Sequence, residues 1–302
     1  VTTAHVVVVG SINVDLVALV DHIPAPGESV LGTRFMRAHG GKAGNAAAAL
    51  GRLGIHTTIV GCIGADEFGT DSRAGLEAAG VDVSRLLVHE TASTGVALIF
   101  VDPQGENVVG SVSGANFELT PELLEQQFNA IEEEPTALLI NLEVPMPTVT
   151  RAVELAHARG WKVVMNPAPS RTLPDELLAK LDVLTPNAGE VDAVHVDGID
   201  GVLATGCGAV VITRGAQGAR IHRAGVAVVD IPAFEVDVVD TTGAGDAFSA
   251  ALTGWLASGA SLEESVEVAA AAGAITVQTA GARNVGLSMA AVTALRETHQ
   301  PT

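Results

Sequence analysis

The stretch His5-Val6-Val7-Val8-Val9-Gly10 is a short β-branched run closed by a glycine. Four valines in a row leave no polar face, so a strand made of them is covered on both sides, as in a parallel sheet flanked by helices. Runs of the same kind recur at residues 57–61, 137–142, 162–165, 183–185 and 209–213. Helical patterns lie between them. Thr120-Pro121-Glu122 reads as an N-cap, a first-position proline and a first-turn acid. Val149, Ala152, Val153 and Ala156 share one helical face, and Gly160 is placed to end that helix. Ser261-Leu262-Glu263-Glu264 is a capping box ahead of a long alanine-rich segment. Strands alternating with helices predict a mostly parallel sheet with helices on both faces, and such sheets bind ligands at the carboxyl ends of their strands.

Two regions break the alternation. Residues 94–101 and 106–111 flank the turn Asp102-Pro103-Gln104-Gly105 and predict a hairpin. Residues 13–39 are also strand-rich, interrupted by Pro24, Pro26 and Gly27. Together they predict a small antiparallel flap on one main domain of residues 1–302, made of about residues 12–40 and 92–114. No internal repeat or interdomain linker is visible.

The 302 residues carry 16 Lys and Arg against 35 Asp and Glu, a formal net charge of −19. This balance argues against binding nucleic acid, which rests on Lys and Arg displacing counterions, and against docking on an anionic membrane. No uninterrupted apolar run is long enough for a membrane span. Cys62 and Cys207 form no metal or disulfide pattern, and the nine histidines do not read as a cluster; a soluble cytoplasmic protein is expected.

The chemistry-bearing motifs fall at predicted strand ends. Asp240-Thr241-Thr242-Gly243-Ala244-Gly245-Asp246 follows residues 236–239, which read as a strand, and precedes a helix. Backbone N–H groups at such a helix start attract an anion, and the Asp246 carboxylate there suits a general base; an ordinary glycine turn capped by Asp explains the same residues. Gly40-Gly41-Lys42-Ala43-Gly44-Asn45 places one of only three lysines in a glycine-rich turn before a helix. Asn13 and Asp15 alternate to one side of an extended chain and suit sugar hydroxyls. Glu143 follows another apolar strand. Asn187 and Glu190 suit hydrated Mg²⁺ or an Asx-capped helix. Thr213-Arg214-Gly215-Ala216-Gln217-Gly218 suits a nucleotide cover or a tight turn.

Taken together these motifs resemble the ribokinase family of sugar kinases, the phosphofructokinase-B-type kinases, over essentially the whole chain. The segments at residues 94–100, 105–109, 166–169, 173–178 and 185–187 resemble its ribose-phosphorylating members. The resemblance implies a three-layer αβα sandwich with a mostly parallel central sheet and a small β-sheet lid, a homodimer formed through the lids, and transfer of the ATP γ-phosphoryl group to the 5-hydroxyl of ribose. It implies Asp246 as base and Gly243, Ala244, Gly245 and Asp246 as an anion hole. It implies Asn13, Asp15, Gly41, Lys42, Asn45 and Glu143 around the sugar. Asn187, Thr213, Arg214, Gly215, Gln217, Gly218 and Gly245 would serve the nucleotide, and Glu190 Mg²⁺ through water. A K⁺ ion would sit by Asp240, Thr242, Thr276, Thr279, Gly281 and Val285. Other sugars or nucleosides (fructose, 2-keto-3-deoxygluconate, adenosine, pseudouridine) and a non-catalytic binding role are the alternatives. Ala43, Ala270 and Val285 depart from the family's usual residues.

Overall fold

In the computed structural model, which describes residues 4–298, the valine run forms β1 (His5–Val9), a five-residue strand buried along its whole length. It lies between β4 (His56–Gly64) and β8 (Ala137–Ile140), parallel to both. Beyond β8 the sheet continues in parallel through β9 (Lys162–Met165), β10 (Val183–Leu184) and β11 (Ala209–Thr213). It ends in antiparallel β12 (Ala219–His222) and β13 (Val229–Ile231). On the other side β5 (Leu86–His89) follows β4, which completes a nine-stranded sheet. The strand order reverses direction at β1, so the connections leaving β1 and β8 diverge and open a crevice at their carboxyl ends.

Alternation along β1 splits the interior into two cores. Val6 and Val8 face α1 (Lys42–Arg52), α8 (Ala244–Ala257) and α9 (Leu262–Thr276), whereas Val7 and Val9 face α3 (Pro121–Asn129) and α4 (Met146–Ala158). With so few aromatics, the first core is filled by close approach of small residues, including Ala46, Ala47, Ala250, Ala251, Ala271 and Ala272. Helices cover both faces, which is the expected three-layer arrangement. The sequence signals act where they stand: Thr120 Oγ1 accepts the Leu123 N–H at 3.3 Å, and Ser261 Oγ accepts that of Glu264 at 3.2 Å. Gly160, at φ +72°, ends the turn after α4.

A second sheet of four strands stands apart, in the order β3 (Gly32–Gly40), β2 (Asn13–Val20), β6 (Gly95–Val101) and β7 (Asn107–Val112). It is mixed, not antiparallel throughout. β2 and β6 pair in parallel because both leave the main body at the crevice, Asn13 beside Gly95, and run outward together. Asp66, the N-cap of α2 (Glu67–Ala78), accepts Thr94 Oγ1 and the Thr94 N–H and so ties the base of β6 to the main body. Residues 236–239 form no strand. The Val239 and Asp240 N–H groups bond to the Val277 carbonyl at the end of α9, which draws this segment off the sheet edge and leaves Val238 and Val239 exposed.

Candidate active site

The crevice is built around the first turn of α8. Gly243 caps that helix in the left-handed region, at φ +77°, and a Cβ there would lie 2.5 Å from the Ala282 carbonyl. Only glycine admits both the conformation and the close approach of the 281–285 loop. The first helical bond runs from the Ala247 N–H to the Gly243 carbonyl. The amides ahead of it, at Gly245 and Asp246, border the crevice, where aligned peptide dipoles favour negative charge.

Asp246 is buried in the third position of this helix, and its Oδ2 accepts the Asn45 Nδ2 donor at 2.8 Å. Burial is the main reason its carboxyl titrates above the ordinary carboxylate range, and the nearby Glu143 adds to it. Lys42, Asn45 and Arg283 oppose that rise. Asp15, at the start of β2, is raised to about 6, again chiefly by burial, with Glu143 and Asp246 adding to it and Arg283 opposing.

The start of α1 joins these groups. Gly41, its N-cap at φ +80°, packs so closely on the turn after β1 that a Cβ would sit 2.6 Å from Asn13 N. The Lys42 N–H donates to Ser11 Oγ at 3.0 Å and to Glu143 Oε2 at 3.2 Å, and Ser11 Oγ in turn donates to Glu143. Glu143 therefore complements the positive end of α1. Asn13 Oδ1 accepts Asn116 Nδ2 at 2.8 Å.

Two adjoining cavities meet at Thr213, Thr241 and Gly245. The smaller, about 210 Å³, is lined by Lys42, Asn166, Asn187, Glu190, Gly243 and Asp246, among others. The larger, about 650 Å³, runs beneath Gly215, Gln217 and Gly218 and is walled by Phe234, Val236, Ala244, Phe248 and Ala270. A polar chamber holding a carboxylate and a lysine thus opens into a long apolar one. That arrangement suits a phosphate chain entering from a flat aromatic ring system and ending at a hydroxyl.

The profile of the pfkB family carbohydrate kinases matches residues 3–288. The chain belongs to this family. It is 36% identical to a ribokinase of Haemophilus influenzae over 287 residues, covering 92% of this chain and 93% of the relative. A Thermotoga maritima ribokinase superposes with a TM-score of 0.88 at 31% identity, covering 97% of this chain and 99% of its own. An Arabidopsis thaliana ribokinase complexed with ribose and ATP gives 0.85 at 26% identity, with the same coverage.

Among the residues expected to act in this kinase, Lys42, Asn45, Asn187, Glu190, Thr213, Gly243, Gly245 and Asp246 converge on the two cavities or on one another. Ala244, Gly215, Gln217 and Gly218 line the larger cavity. Asn187 does not cap a helix, as the alternative had it, but closes a local turn with Glu190: Asn187 Oδ1 accepts the Gly189 and Glu190 N–H groups, and Glu190 Oε2 accepts that of Asn187. Arg214 is drawn away, because its guanidinium pairs with Asp230 at 2.6 Å. In the expected cation set, Asp240 Oδ1 accepts Thr242 N and Oγ1, and Oδ2 accepts the Gly281 N–H at 2.8 Å. Partial burial works against the Asp240 charge, yet these three donors hold its carboxyl below the usual range. Thr276 Oγ1 is spent inside α9 on the Ala272 carbonyl, and Thr279 and Val285 are exposed.

Sequence reasoning missed Arg283, Asn166 and Ser11 as site residues. Asn166 opens the 166–169 segment that carries part of the resemblance, whereas Arg283 stood only as one residue of a loop read for backbone ligands. The histidines hold one further surprise: the rings of His5 and His56 stack at 4.0 Å, and donor atoms of His5, His56 and Glu133 lie within 4.8 Å of one another.

Proposed function

We propose that this kinase transfers the γ-phosphoryl group of ATP to the 5-hydroxyl of ribose, giving ribose 5-phosphate. The observation that carries the reading is Asp246: a buried carboxylate held by Asn45, at the positive end of α8, where a polar chamber meets a nucleotide-sized cavity. The ribokinase relatives supply the substrate.

In this reading Asn13, Asp15, Gly41, Lys42, Asn45 and Glu143 hold the sugar hydroxyls. Asp246 accepts the proton of the 5-hydroxyl as its oxygen attacks, a task suited to a carboxyl whose proton affinity burial has raised. The first-turn amides of α8 and the Lys42 ammonium stabilise the charge spread over the transferring group. Thr213, Gly215, Gln217 and Gly218 cover the nucleotide, with the base between Phe248 and the 232–238 segment.

The smaller cavity fits Mg²⁺. Its wall offers Glu190, Asn187 and the buried Asn166 Oδ1, which has no protein partner, and Mg²⁺ favours oxygen ligands while keeping several waters. Bound there, the ion would neutralise the phosphate oxygens. The Asp240 carboxylate, clamped between Thr242 and Gly281, fits a K⁺ ion completed by backbone carbonyls of the 276–285 segment.

The smaller sheet serves as the lid. Phe35, Ala18, Phe100 and Val108 lie in one cross-strand row, and three of the four are exposed apolar side chains, which suits a second copy docking through this sheet. No helix among the described residues is long and apolar enough to cross a membrane. The free, buried Cys62 and Cys207 fit a cytoplasmic enzyme.

Initial rates of ADP release across a panel of sugars and nucleosides, with and without K⁺, test the reading. Ribose should give the highest kcat/KM; good turnover on another substrate with none on ribose overturns it.

A further inference from the structure

Arg283 lies in the loop between α9 and α10 (Met289–Thr298), against Gly40 and Asn45 at the start of α1. Its Nη2 donates to the Gly40 carbonyl at 3.0 Å and its Nε to Asn45 Oδ1 at 3.2 Å, while Nη1 is buried without a partner. The Asn45 amide is thus held at both ends, its oxygen on Arg283 and its Nδ2 on Asp246 at 2.8 Å. An amide can turn over and exchange its oxygen for its nitrogen. A guanidinium, which only donates, forbids the turned form, because that form would set an NH₂ group against the arginine and an oxygen against the Asp246 carboxylate.

The seat of Arg283 depends on one further residue. Gly44 lies in the first turn of α1, and a Cβ added there would fall 2.3 Å from Arg283 Nη2. The other nearby side chain, Ile12, would stand at an ordinary 3.8 Å. Nothing but the guanidinium requires glycine at this point, in a helical position where alanine is otherwise favoured.

We infer that Arg283 is a positioning residue for phosphoryl transfer, fixing the Asn45 amide so that its Nδ2 orients the Asp246 carboxylate, from a seat that Gly44 leaves open. The inference rests on Asp246 being the base. It predicts that Gly44 matters only while Arg283 is present. The same loop also presses Ala282 on Gly243 and bonds Gly281 to Asp240, so the residue that orients the base shares its backbone with the support of the anion hole.

A double-mutant cycle tests this, run on whichever sugar of the panel the unmodified enzyme turns over best. Inactivity on ribose with activity elsewhere then counts against the ribose reading alone. Arg283→Gln and Gly44→Ala should each lower kcat by about tenfold or more, as misplacement of a reacting group does, with any rise in sugar KM, which Asn45 also serves, smaller than the fall in kcat. Adding Gly44→Ala to Arg283→Gln should cost nothing further. Arg283→Lys retains the charge and guards against loss of folding; it should still lose kcat, since one ammonium cannot reproduce the fork, and in that background too Gly44→Ala should be silent. The inference is overturned if Gly44→Ala costs the same in all three backgrounds, or if Arg283→Gln or Arg283→Lys turns over at the unmodified rate.

Discussion

On one side of Asp246 the crevice wall is charged and tied together; on the other it is apolar and roofed by a short turn. The proposed sugar side sets Asp15, Glu143, Lys42, Asn45 and Arg283 against one another through hydrogen bonds and close charges, and burial displaces the titration of Asp15, Asp246 and Arg283, the last lowered to about 10. The proposed nucleotide side offers about 650 Å³ walled by Phe234, Val236, Phe248 and Ala270 beneath a short turn. The first depends on orientation, since each charge is tolerable only with its partners in place. The second depends on shape and apolar area. Substitutions on the two sides should therefore fail differently: in kcat and in pH dependence on one, in the KM for ATP alone on the other.

The largest effect belongs to the residue where the two sides meet. Asp246→Asn keeps the size of the side chain and removes proton acceptance, so kcat should fall by about 10²–10⁴-fold while sugar affinity, measured by calorimetry, stays within a few-fold. A fall of less than tenfold means that the hydroxyl loses its proton elsewhere.

Next comes Asp15. Its carboxyl, raised to about 6, takes up a proton as the pH falls toward 5. A sugar hydroxyl then loses a charged acceptor, so kcat/KM for the sugar should drop on the acid side with an inflection near 6. Asp15→Asn should lower kcat/KM at pH 7.5 by about 10–100-fold, the worth of a hydrogen bond to a charged group, and should remove that inflection. Stability moves the other way. A raised carboxyl pKa means that the native state holds more protons than the unfolded chain between pH 4 and 6, so stability falls as pH rises through that window. Asn at this position escapes the penalty, at most about 3 kcal/mol, and should raise Tm at pH 7.5. An unchanged Tm would mean that Asp15 stays hydrated in the free enzyme.

The same contrast governs what could be read from the sequence. The valine run, the Thr120 and Ser261 caps and the hairpin at 102–105 are local signals, and local physics realises them. The segments holding Asp246, Lys42 and Asn45 stood out because glycine, charge and amide lie within a few residues of one another at a helix start, and the structure brings these three residues together. Arg283 was not, because its meaning comes from Gly44 and Asn45, more than 230 positions away, and from a clash that only coordinates reveal. Residues 236–239 misled for a related reason. Their β-branched pattern suits a strand, but the Val239 and Asp240 N–H groups go to the Val277 carbonyl instead of a neighbouring strand. The parallel pairing of β2 with β6 depends on where both strands leave the main body, which no local pattern encodes.

On the nucleotide side Ala270 is the sharpest probe. It faces the larger cavity from α9, and Ala270→Phe fills part of that volume with a ring. Steady-state kinetics should show the KM for ATP rising by about tenfold, in line with the cost of overpacking, with the sugar KM unmoved. A coupled rise in the sugar KM would mean that the two sides share one closure and are not independent.

The smallest expected effect distinguishes turn chemistry from direct contact. Asn187 Oδ1 accepts two N–H groups of its own turn, at 2.8 Å and 3.0 Å, while the residue also borders the smaller cavity. If its part is to shape the turn that presents Glu190, Asn187→Asp retains both bonds and should leave the KM for ATP within about twofold, whereas Asn187→Ala loses them and should raise it about two- to tenfold. If instead the amide donates to a phosphate oxygen, Asp sets a negative charge against the nucleotide and becomes the worse of the two variants. The rank order of two small effects, read from ATP titrations at saturating sugar, thus decides whether the nucleotide side contains any oriented polar contact of the kind that dominates the sugar side.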